Sequence, residues 1–429
     1  MRNKMMIVLM LMTLSSPSWS QRTVLQHVSD TQGASLEELA QTVLARNKDL
    51  QAAHESVHQA EARLKQARLR PNPSLDVSRT TDVMFGNEGD TALSVTFSQQ
   101  LELGGKRSKR ISVEEVAIEV ARAQIADAER QLVGKFRSLF VEAVGAAARL
   151  DLFDRLEHAN QQMVSVMDVR LRSGDASRLD SQLLAAQTNQ VHAQRLVAEN
   201  QLDAALLQIR VLGGLLTGEP LVLRRQQPGE FIDTEESAVS QALENRPDLK
   251  AVKLREELED AGITLAKSQA VPNVSAFVRY GREGVPTLVT GTQRRSFDHE
   301  NVMEFGVSIP LPFFNREQGN IAGAASRRVQ ARAEREALEV SIRREVLLAY
   351  RRYDTERRTL EILRTGVIQP NQDTVRIVQL AYNLGELRLL DVVNQQRIVI
   401  EAETNYAAAQ NDVNAAFADL ELAIGKREY

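Results

Sequence analysis

Apolar positions in this chain follow two different periods, one after the other. Over residues 36–69 apolar side chains recur every three to four positions, as on a helix with one buried face, and Pro71 ends the pattern. Over residues 75–83 and 93–98 apolar and polar residues alternate instead. This change of period predicts a helix followed by a pair of strands, each with one polar face.

A much longer helix is predicted from Lys106 to Leu171, where only the isolated residues Gly134 and Gly145 disfavour helix. At 1.5 Å per residue this segment would be about 100 Å long. Its apolar positions are separated by four and three residues in turn, which is typical of a coiled coil. They are Leu132, Phe136, Leu139, Ala143, Ala146, Leu150, Phe153, Val164, Met167 and Leu171, and the polar residues Glu157 and Asn160 interrupt them.

The same order of elements returns in the second half of the chain. Strands are predicted at residues 274–280 and 303–309, with a polar loop over residues 282–300 between them. A second coiled-coil seam is predicted over residues 342–367, and Pro370 is expected to kink its helix about 20 Å before the next glycine turn.

A direct internal match supports this repetition. RSGDASRLDSQLL, starting at position 172, resembles NLGELRLLDVVNQ, starting 211 positions later, and the match superimposes Gly174 on Gly385 and Asp180 on Asp391. The predicted organisation is a first structural repeat at residues 35–214, a Gly- and Pro-containing connector at residues 215–234 and a second repeat at residues 235–425.

The N-terminus predicts export from the cytoplasm. Residues 1–20 contain Arg2 and Lys4, an apolar run and then small residues, which is the pattern of a secretory signal peptide cleaved near Ser20. No later stretch has the roughly 20 apolar residues of a transmembrane helix, so any membrane crossing by the mature chain must use strands.

Composition narrows the function further. The chain has a net charge of -4, which gives no basis for binding nucleic acid, and it has no cysteine for disulfides or lipidation. His54 and His58 are four residues apart on a predicted helix, but no third ligand is evident, so no metal site and no cofactor are predicted. No nucleophile, base and acid set stands out either, and the chain is not expected to be an enzyme.

Geometry then predicts an oligomer. Four amphipathic strands cannot close a barrel, and open strand edges are not tolerated in lipid. Three chains would supply twelve strands around an aqueous lumen. The expected fold is mainly α with a membrane β part: a long α-helical coiled-coil barrel in the periplasm, continued by a β-barrel shared between three chains.

These features resemble the TolC family of outer-membrane efflux ducts. The resemblance rests on the repeat, on RPNPSLDVS before the first strand, on the glycine turns each followed six residues later by an aspartate, and on LELGGKR at residues 101–107. It implies a homotrimeric outer-membrane channel that works with a periplasmic adaptor protein and an inner-membrane RND pump. LELGGKR is similar to the CzcC-like branch, which implies heavy-metal cations as cargo.

The resemblance also implies a periplasmic gate beside the turns at Gly174 and Gly385. Asp180 and Asp391 would line it, and Asn394 occupies a position that can carry a second acid. Helix capping is the alternative role for the two aspartates. Tyr382 matches a tyrosine that in the family holds neighbouring helices together through the aspartate matching Asp180, and ordinary packing between helices is the alternative for it.

LELGGKR itself lacks the glycine and the hydroxyl residue of a phosphate-binding loop. We expect Gly104 and Gly105 to form the turn from strand to helix. Lys106 and Arg107, at the start of the helix, would then lie near anionic outer-membrane lipid, or remain simply solvated.

Three other functions share parts of this pattern. A duct for drugs or other organic solutes, or one for type I protein secretion, would have the same architecture. A periplasmic adaptor is less compatible, because an adaptor would have one helical hairpin, whereas two are predicted here.

Overall fold

The computed structural model describes residues 28–29, 33–81, 91–174, 177–215, 219, 221–225, 231, 233–288, 295–384 and 386–426. The predicted signal peptide and Gly385 lie outside these residues. No helix in the described ranges is long and apolar enough to cross a membrane.

The elements follow one another in the same order in both halves of the chain. The first half contains β1 (Val28–Ser29), α1 (Leu36–Arg46), α2 (Lys48–Ala67), β2 (Ser74–Thr81), β3 (Thr91–Leu101), α3 (Lys106–Ser173) and α4 (Arg178–Leu212). The second half contains β4 (Leu223–Arg224), α5 (Glu235–Asn245), α6 (Pro247–Gln269), β5 (Val274–Leu288), β6 (Arg295–Ser308), α7 (Gln318–Leu363), α8 (Gln369–Asn383) and α9 (Leu389–Ile424). β1 and β4 form a short parallel pair that joins the two halves.

The first predicted helix is divided in two. Asn47 has an extended backbone between α1 and α2, and its side-chain oxygen accepts a 2.9 Å hydrogen bond from the backbone N–H of Leu50. The prediction of one helix over residues 36–69 was therefore wrong, because the periodicity of the apolar residues continues across the break. Arg246 makes the equivalent break between α5 and α6.

Four strands form one antiparallel sheet in the order β2, β3, β5, β6. The register is continuous, so each row of cross-strand neighbours faces one side. β5 and β6 remain paired as far as Leu288 and Arg295. The predicted polar loop over residues 282–300 is thus mostly strand. Its side chains are polar, but the backbone hydrogen bonds between β5 and β6 do not depend on them.

The two faces of the sheet differ sharply. One face is apolar and exposed in the single chain, as Val77 and Phe305 show with exposures of 64% and 71%. The other face is polar: the hydroxyl oxygens of Ser78 and Ser94 are 2.8 Å apart, and Arg279 is 3.6 Å from Glu304. The predicted alternation of strand residues is therefore confirmed.

The predicted long helix is also confirmed, since α3 contains 68 residues. The seam positions from Phe136 to Phe153 are buried, and they form one core with residues of α1 and α4. A second core joins α5, α7 and α9 around Ile342 and Leu420.

The polar interruption of the α3 seam forms a polar cluster against α4, in which Asn160 is buried and His192 is exposed. Glu157 is 2.9 Å from the imidazole Nδ1 of His192 and 3.5 Å from Arg195. Asn160 is only 3% exposed, and its amide nitrogen has no hydrogen-bond partner among the described residues.

The second long helix is interrupted where Pro370 predicts it. A π-helical turn, Arg364–Ile368, separates α7 from α8, and proline occupies the first turn of α8. Proline lacks an N–H and its ring crowds the carbonyl four residues earlier, here that of Gly366, so the α-helical ladder cannot pass through this point.

Candidate functional site

The α3–α4 tip is built on a glycine turn. Gly174 caps the end of α3 with φ of +82°, a left-handed conformation that favours glycine, and no described residue lies within 4 Å of where a Cβ would be. At the equivalent tip α8 ends at Asn383 and α9 begins at Leu389, and Gly385 between them lies outside the described residues.

Asp180 occupies the third position of α4 and caps it. Its carboxylate accepts hydrogen bonds from the backbone N–H of Ser177 at 3.3 Å and from the Ser177 hydroxyl at 2.8 Å. The Ser177 oxygen in turn accepts from the backbone N–H of Asp180 at 3.1 Å. This reciprocal pair satisfies two N–H groups that the first turn of a helix leaves free.

Asp391 takes the same position in α9. Its carboxylate accepts a 3.0 Å hydrogen bond from the backbone N–H of Arg388, which precedes the helix. Capping therefore accounts for the local bonds of both aspartates. Asp391 remains exposed and Asp180 partly exposed, so both carboxylates are still accessible to a cation at the tip. Asn394 is exposed one turn further along α9.

Tyr382 joins α8 to α3 within one chain. Its hydroxyl accepts a hydrogen bond from the guanidinium of Arg170, whose central carbon lies 5.0 Å from the centre of the tyrosine ring. The ring also packs against a small core at Met167 and Leu184. Sequence reasoning missed Arg170, although its place four residues before the Gly174 turn could have drawn attention to it.

The tips leave several apolar side chains uncovered. Val166, Val169, Leu179, Leu380 and Leu384 are each at least 60% exposed in the single chain. Exposed apolar surface of this kind typically marks a contact between proteins.

The strand-to-helix turn has the two left-handed glycines that were predicted. Gly104 has φ of +71° and Gly105 has φ of +68°. A Cβ on Gly104 would lie 3.0 Å from the Cβ of Val271, just after α6, and 3.3 Å from the carbonyl oxygen of Ser268 in its last turn, so the chain passes too close for a larger residue.

The basic residues after this turn bond within the chain. The ammonium group of Lys106 lies 2.6 Å from the side-chain oxygen of Asn273, and the guanidinium of Arg107 donates a 2.8 Å hydrogen bond to the carbonyl of Arg68. That carbonyl belongs to the end of α2, where carbonyl groups lack helical partners. Contact of these side chains with lipid stays a prediction, and it would compete with these bonds.

A salt bridge completes the turn. Arg110 forms two hydrogen bonds with Glu102, at 2.7 and 3.2 Å, and a third at 3.2 Å with the carbonyl of Leu69. The hydrogen bond from Arg110 lowers the pKa of the Glu102 carboxyl below its ordinary range, against the opposing effect of burial. Arg110, near the start of α3, thus links the segment after β3 to the segment after α2.

Among the described residues there is no group of three or more histidine, cysteine, aspartate or glutamate side chains that could hold a metal ion. His54 lies 3.8 Å from Glu129, and His58 lies 3.4 Å from Glu61. All four side chains lie on the surface formed by α2 and α3.

An amphipathic sheet, helices far longer than a bilayer is thick, and two hairpin tips define a channel protein of the outer membrane. The chain belongs to the outer membrane efflux protein family, whose model matches residues 39–215 and 238–426.

Particular members of the family resemble it over most of its length. The cobalt-zinc-cadmium resistance protein CzcC of Cupriavidus metallidurans is 24% identical over 384 residues, which cover 89% of this chain and 87% of CzcC. The nickel-cobalt-cadmium resistance protein NccC of Alcaligenes xylosoxydans xylosoxydans is 23% identical over 69% of this chain and 64% of its own. A crystal structure of CusC has the same fold, with a TM-score of 0.74 at 16% identity over 91% of this chain and 92% of CusC.

Proposed function

We propose that this chain is the outer-membrane channel of a tripartite efflux system that exports heavy-metal cations. The observation that carries the cargo assignment is the similarity to CzcC over nearly the whole chain, together with the LELGGKR turn. The chain catalyses no reaction and needs no cofactor in this role. The inner-membrane pump supplies the energy, and the channel gives its cargo a path across the outer membrane.

The open edges of the sheet support a trimer. β2 and β6 lie at the two edges, so among the described residues of a single chain each has one side without a partner strand. Unpaired backbone groups are costly in lipid, and pairing the β6 of one chain with the β2 of the next removes them. Three chains give a twelve-stranded barrel with the polar face around the lumen and the apolar face toward lipid.

The helices would extend this barrel into the periplasm. A helix of 68 residues is about 100 Å long, more than three times the roughly 30 Å of a bilayer core. The apolar side chains left exposed near the tips would contact neighbouring chains and a periplasmic adaptor, and the adaptor would connect the channel to an RND pump.

The tips would form the gate. In a trimer, Asp180 and Asp391 together bring six carboxylates to one end of the tube, which favours cations over anions. Opening would separate the hairpins at Gly174 and Gly385. The bond between Arg170 and Tyr382 would hold α8 against α3 in the closed state.

A deletion strain tests the cargo. Loss of the gene should increase sensitivity to cobalt, zinc, cadmium, copper or silver ions, and the natural chain supplied on a plasmid should restore tolerance. A matched strain that lacks only the inner-membrane pump should show the same metal profile. Unchanged metal tolerance with increased sensitivity to antibiotics would indicate organic-solute efflux, and loss of a secreted protein would indicate a secretion duct.

The assembly is tested separately. Mature protein in detergent should have the mass of three chains, because the described part of one chain contributes only four strands with open edges. A stable monomer would rule out the shared barrel.

A further inference from the structure

One row of residues crosses the apolar face of the sheet near the hairpin end of β2 and β3. Arg79, Leu93, Arg282 and Asn301 are direct cross-strand neighbours in β2, β3, β5 and β6. Because the register is continuous, their side chains share the face that carries the exposed apolar residues.

The adjacent row toward the helices is apolar apart from one tyrosine hydroxyl. It consists of Val77, Val95, Tyr280 and Met303. The face therefore changes from apolar to charged within two residues along each strand, a step of about 7 Å. Such a boundary is expected where a lipid-facing surface meets the headgroups.

A tyrosine bridges the two rows. The hydroxyl of Tyr280 donates a 2.7 Å hydrogen bond to the side-chain oxygen of Asn301, so its ring lies with the apolar row and its polar end with the charged row. Tyrosine is enriched at membrane interfaces for this reason.

The side chains of the two arginines in this row are available to bind a ligand. Both side chains are exposed, and within the part of the chain that the structure describes neither the Arg79 guanidinium nor that of Arg282 has an ion pair or hydrogen bond. The nearby carboxylates Glu283 and Glu300 belong to the alternate rows and so face the lumen. By contrast, Arg107 and Arg110 at the helical end of the sheet are held by carbonyls and by a carboxylate.

We propose that Arg79 and Arg282 form a binding site for the phosphate groups of lipid in the outer leaflet. The strands that carry them are two strand spacings apart, about 10 Å, on either side of Leu93. A guanidinium group offers a planar fork that fits phosphate, and two such forks above an apolar surface match a phosphorylated headgroup above its acyl chains. In a trimer the row repeats three times around the barrel.

The occupant is a lipid rather than free phosphate, because the site borders an apolar surface on its helical side. This inference rests on the proposed barrel, in which the hairpin ends face outside the cell. The proposed lipid site is at the outer end of the barrel, whereas LELGGKR predicts contact with anionic lipid at the end where the helices begin.

The test is native mass spectrometry of the full mature trimer in detergent, titrated with diphosphorylated lipid A and with the same lipid after removal of its phosphates. Attraction of a basic side chain to an anionic lipid surface is worth about 1 kcal/mol, or about fivefold in affinity. The double variant Arg79→Gln/Arg282→Gln should therefore bind diphosphorylated lipid A about 30-fold more weakly than the natural chain, and Arg79→Lys/Arg282→Lys should retain most of the affinity.

Arg279→Gln is the matched control, because Arg279 is on the same strand as Arg282 but faces the lumen. It should bind the lipid within twofold of the natural chain, and the dephosphorylated lipid should bind all variants equally weakly. Equal binding by the double variant and the natural chain overturns the site, as does displacement of the lipid by an equivalent amount of inorganic phosphate. The same spectra report the trimer mass, so failure of the barrel is distinguished from failure of the lipid site.

Discussion

The guanidinium of Arg246 donates a 3.0 Å hydrogen bond to the carbonyl oxygen of Ala423, near the end of α9. In the first repeat the side-chain amide of Asn47 donates a 3.0 Å hydrogen bond to the carbonyl oxygen of Leu212, near the end of α4. Leu212 and Ala423 are 211 positions apart, which is the offset of the repeat. Each repeat therefore has the same contact: the residue at its first helix break donates a hydrogen bond to a carbonyl near the end of its last helix, where carbonyls lack helical partners. The donor is an amide in one repeat and a guanidinium in the other.

Arg246 also organises a buried network of charges. It lies 2.7 Å from Asp248 and 2.9 Å from Glu345, and Arg130 lies 3.7 Å from Asp248. Burial raises the pKa of Asp248, but the hydrogen bond and positive charge of Arg246, aided by Arg130, outweigh it and leave that pKa below its ordinary value.

Replacing this arginine should destabilise the second repeat. Arg246→Ala leaves the partly buried carboxylate of Asp248 with only Arg130 at 3.7 Å and the backbone N–H of Leu249 at 2.9 Å, and it leaves the Ala423 carbonyl without this donor. Breaking a buried ion pair from one side costs about 3–5 kcal/mol. Thermal unfolding of the helical part, followed by circular dichroism, should shift down by several degrees.

The matched control is Arg255→Ala, on the same helix. Arg255 is half exposed and lies 3.3 Å from Glu334, so its loss should cost at most about 1 kcal/mol. Equal shifts for the two variants would contradict the role given to the buried network.

The same pair predicts a pH dependence. Because the folded pKa of Asp248 is lowered, its contribution to stability is complete above the ordinary value of 3.8 and is lost as pH falls through the folded value. The natural chain should therefore lose stability below pH 3.8, and Arg246→Ala should lose less over that range. Unfolding temperatures measured from neutral pH downward check this, and parallel curves for the two proteins would count against it.

The strand-to-helix turn should tolerate a side chain at one glycine better than at the other. Alanine at Gly104 or Gly105 places a Cβ on a left-handed backbone, at a cost of about 1–2 kcal/mol. Only Gly104→Ala also approaches Val271, at 3.0 Å, which adds about 1–3 kcal/mol of overpacking. Gly104→Ala should thus lower the unfolding temperature more than Gly105→Ala, and equal shifts for the two variants would refute the close contact.

Charge and capping at the tips can be separated with isosteric variants. Asp180→Asn/Asp391→Asn keeps an oxygen acceptor at each helix start but removes six charges from a trimer. We expect lower cation preference in planar bilayers with little change in thermal stability. Asp180→Ala should in addition lose a cap worth about 0.5–2 kcal/mol.

Asp168→Asn is the control for this experiment, because Asp168 is exposed near the same tip but lies within α3 rather than at a helix start. It should leave both cation preference and stability unchanged. If the double asparagine variant also keeps its cation preference, capping is the sufficient role of the two aspartates.

Tyr382→Phe should make the channel open more often. The change removes the hydroxyl that accepts from Arg170 and keeps the ring beneath the guanidinium. A hydrogen bond to a charged group is worth about 1.5–3 kcal/mol, so roughly tenfold more openings are expected at the low end. Single-channel recordings measure the opening frequency, with Tyr406→Phe as the control. Equal opening frequencies for the natural chain and Tyr382→Phe would show that Tyr382 only packs.

Much of the fold could be predicted because its signals are local. The seam of α3 and the alternation in β2 and β3 follow from the spacing of apolar residues, and Gly104 and Pro370 mark a turn and an interruption that the structure contains. The tip residues could be located from the repeat, but their bonds could not. That Arg170 holds Tyr382 depends on how α3 and α8 lie side by side.

By itself, then, the sequence determined the kind and order of the elements, the repeat and the family, since each depends on residues within a few turns or on a match between two strings. Only the tertiary structure decided where the first helix breaks, how far β5 and β6 remain paired, and which partners the charged residues take. Arg246 and Ala423 are 177 residues apart, and periodicity carries no information about contacts across such a distance. These contacts are set by the way helices and strands pack, so they appear only when the whole chain is folded.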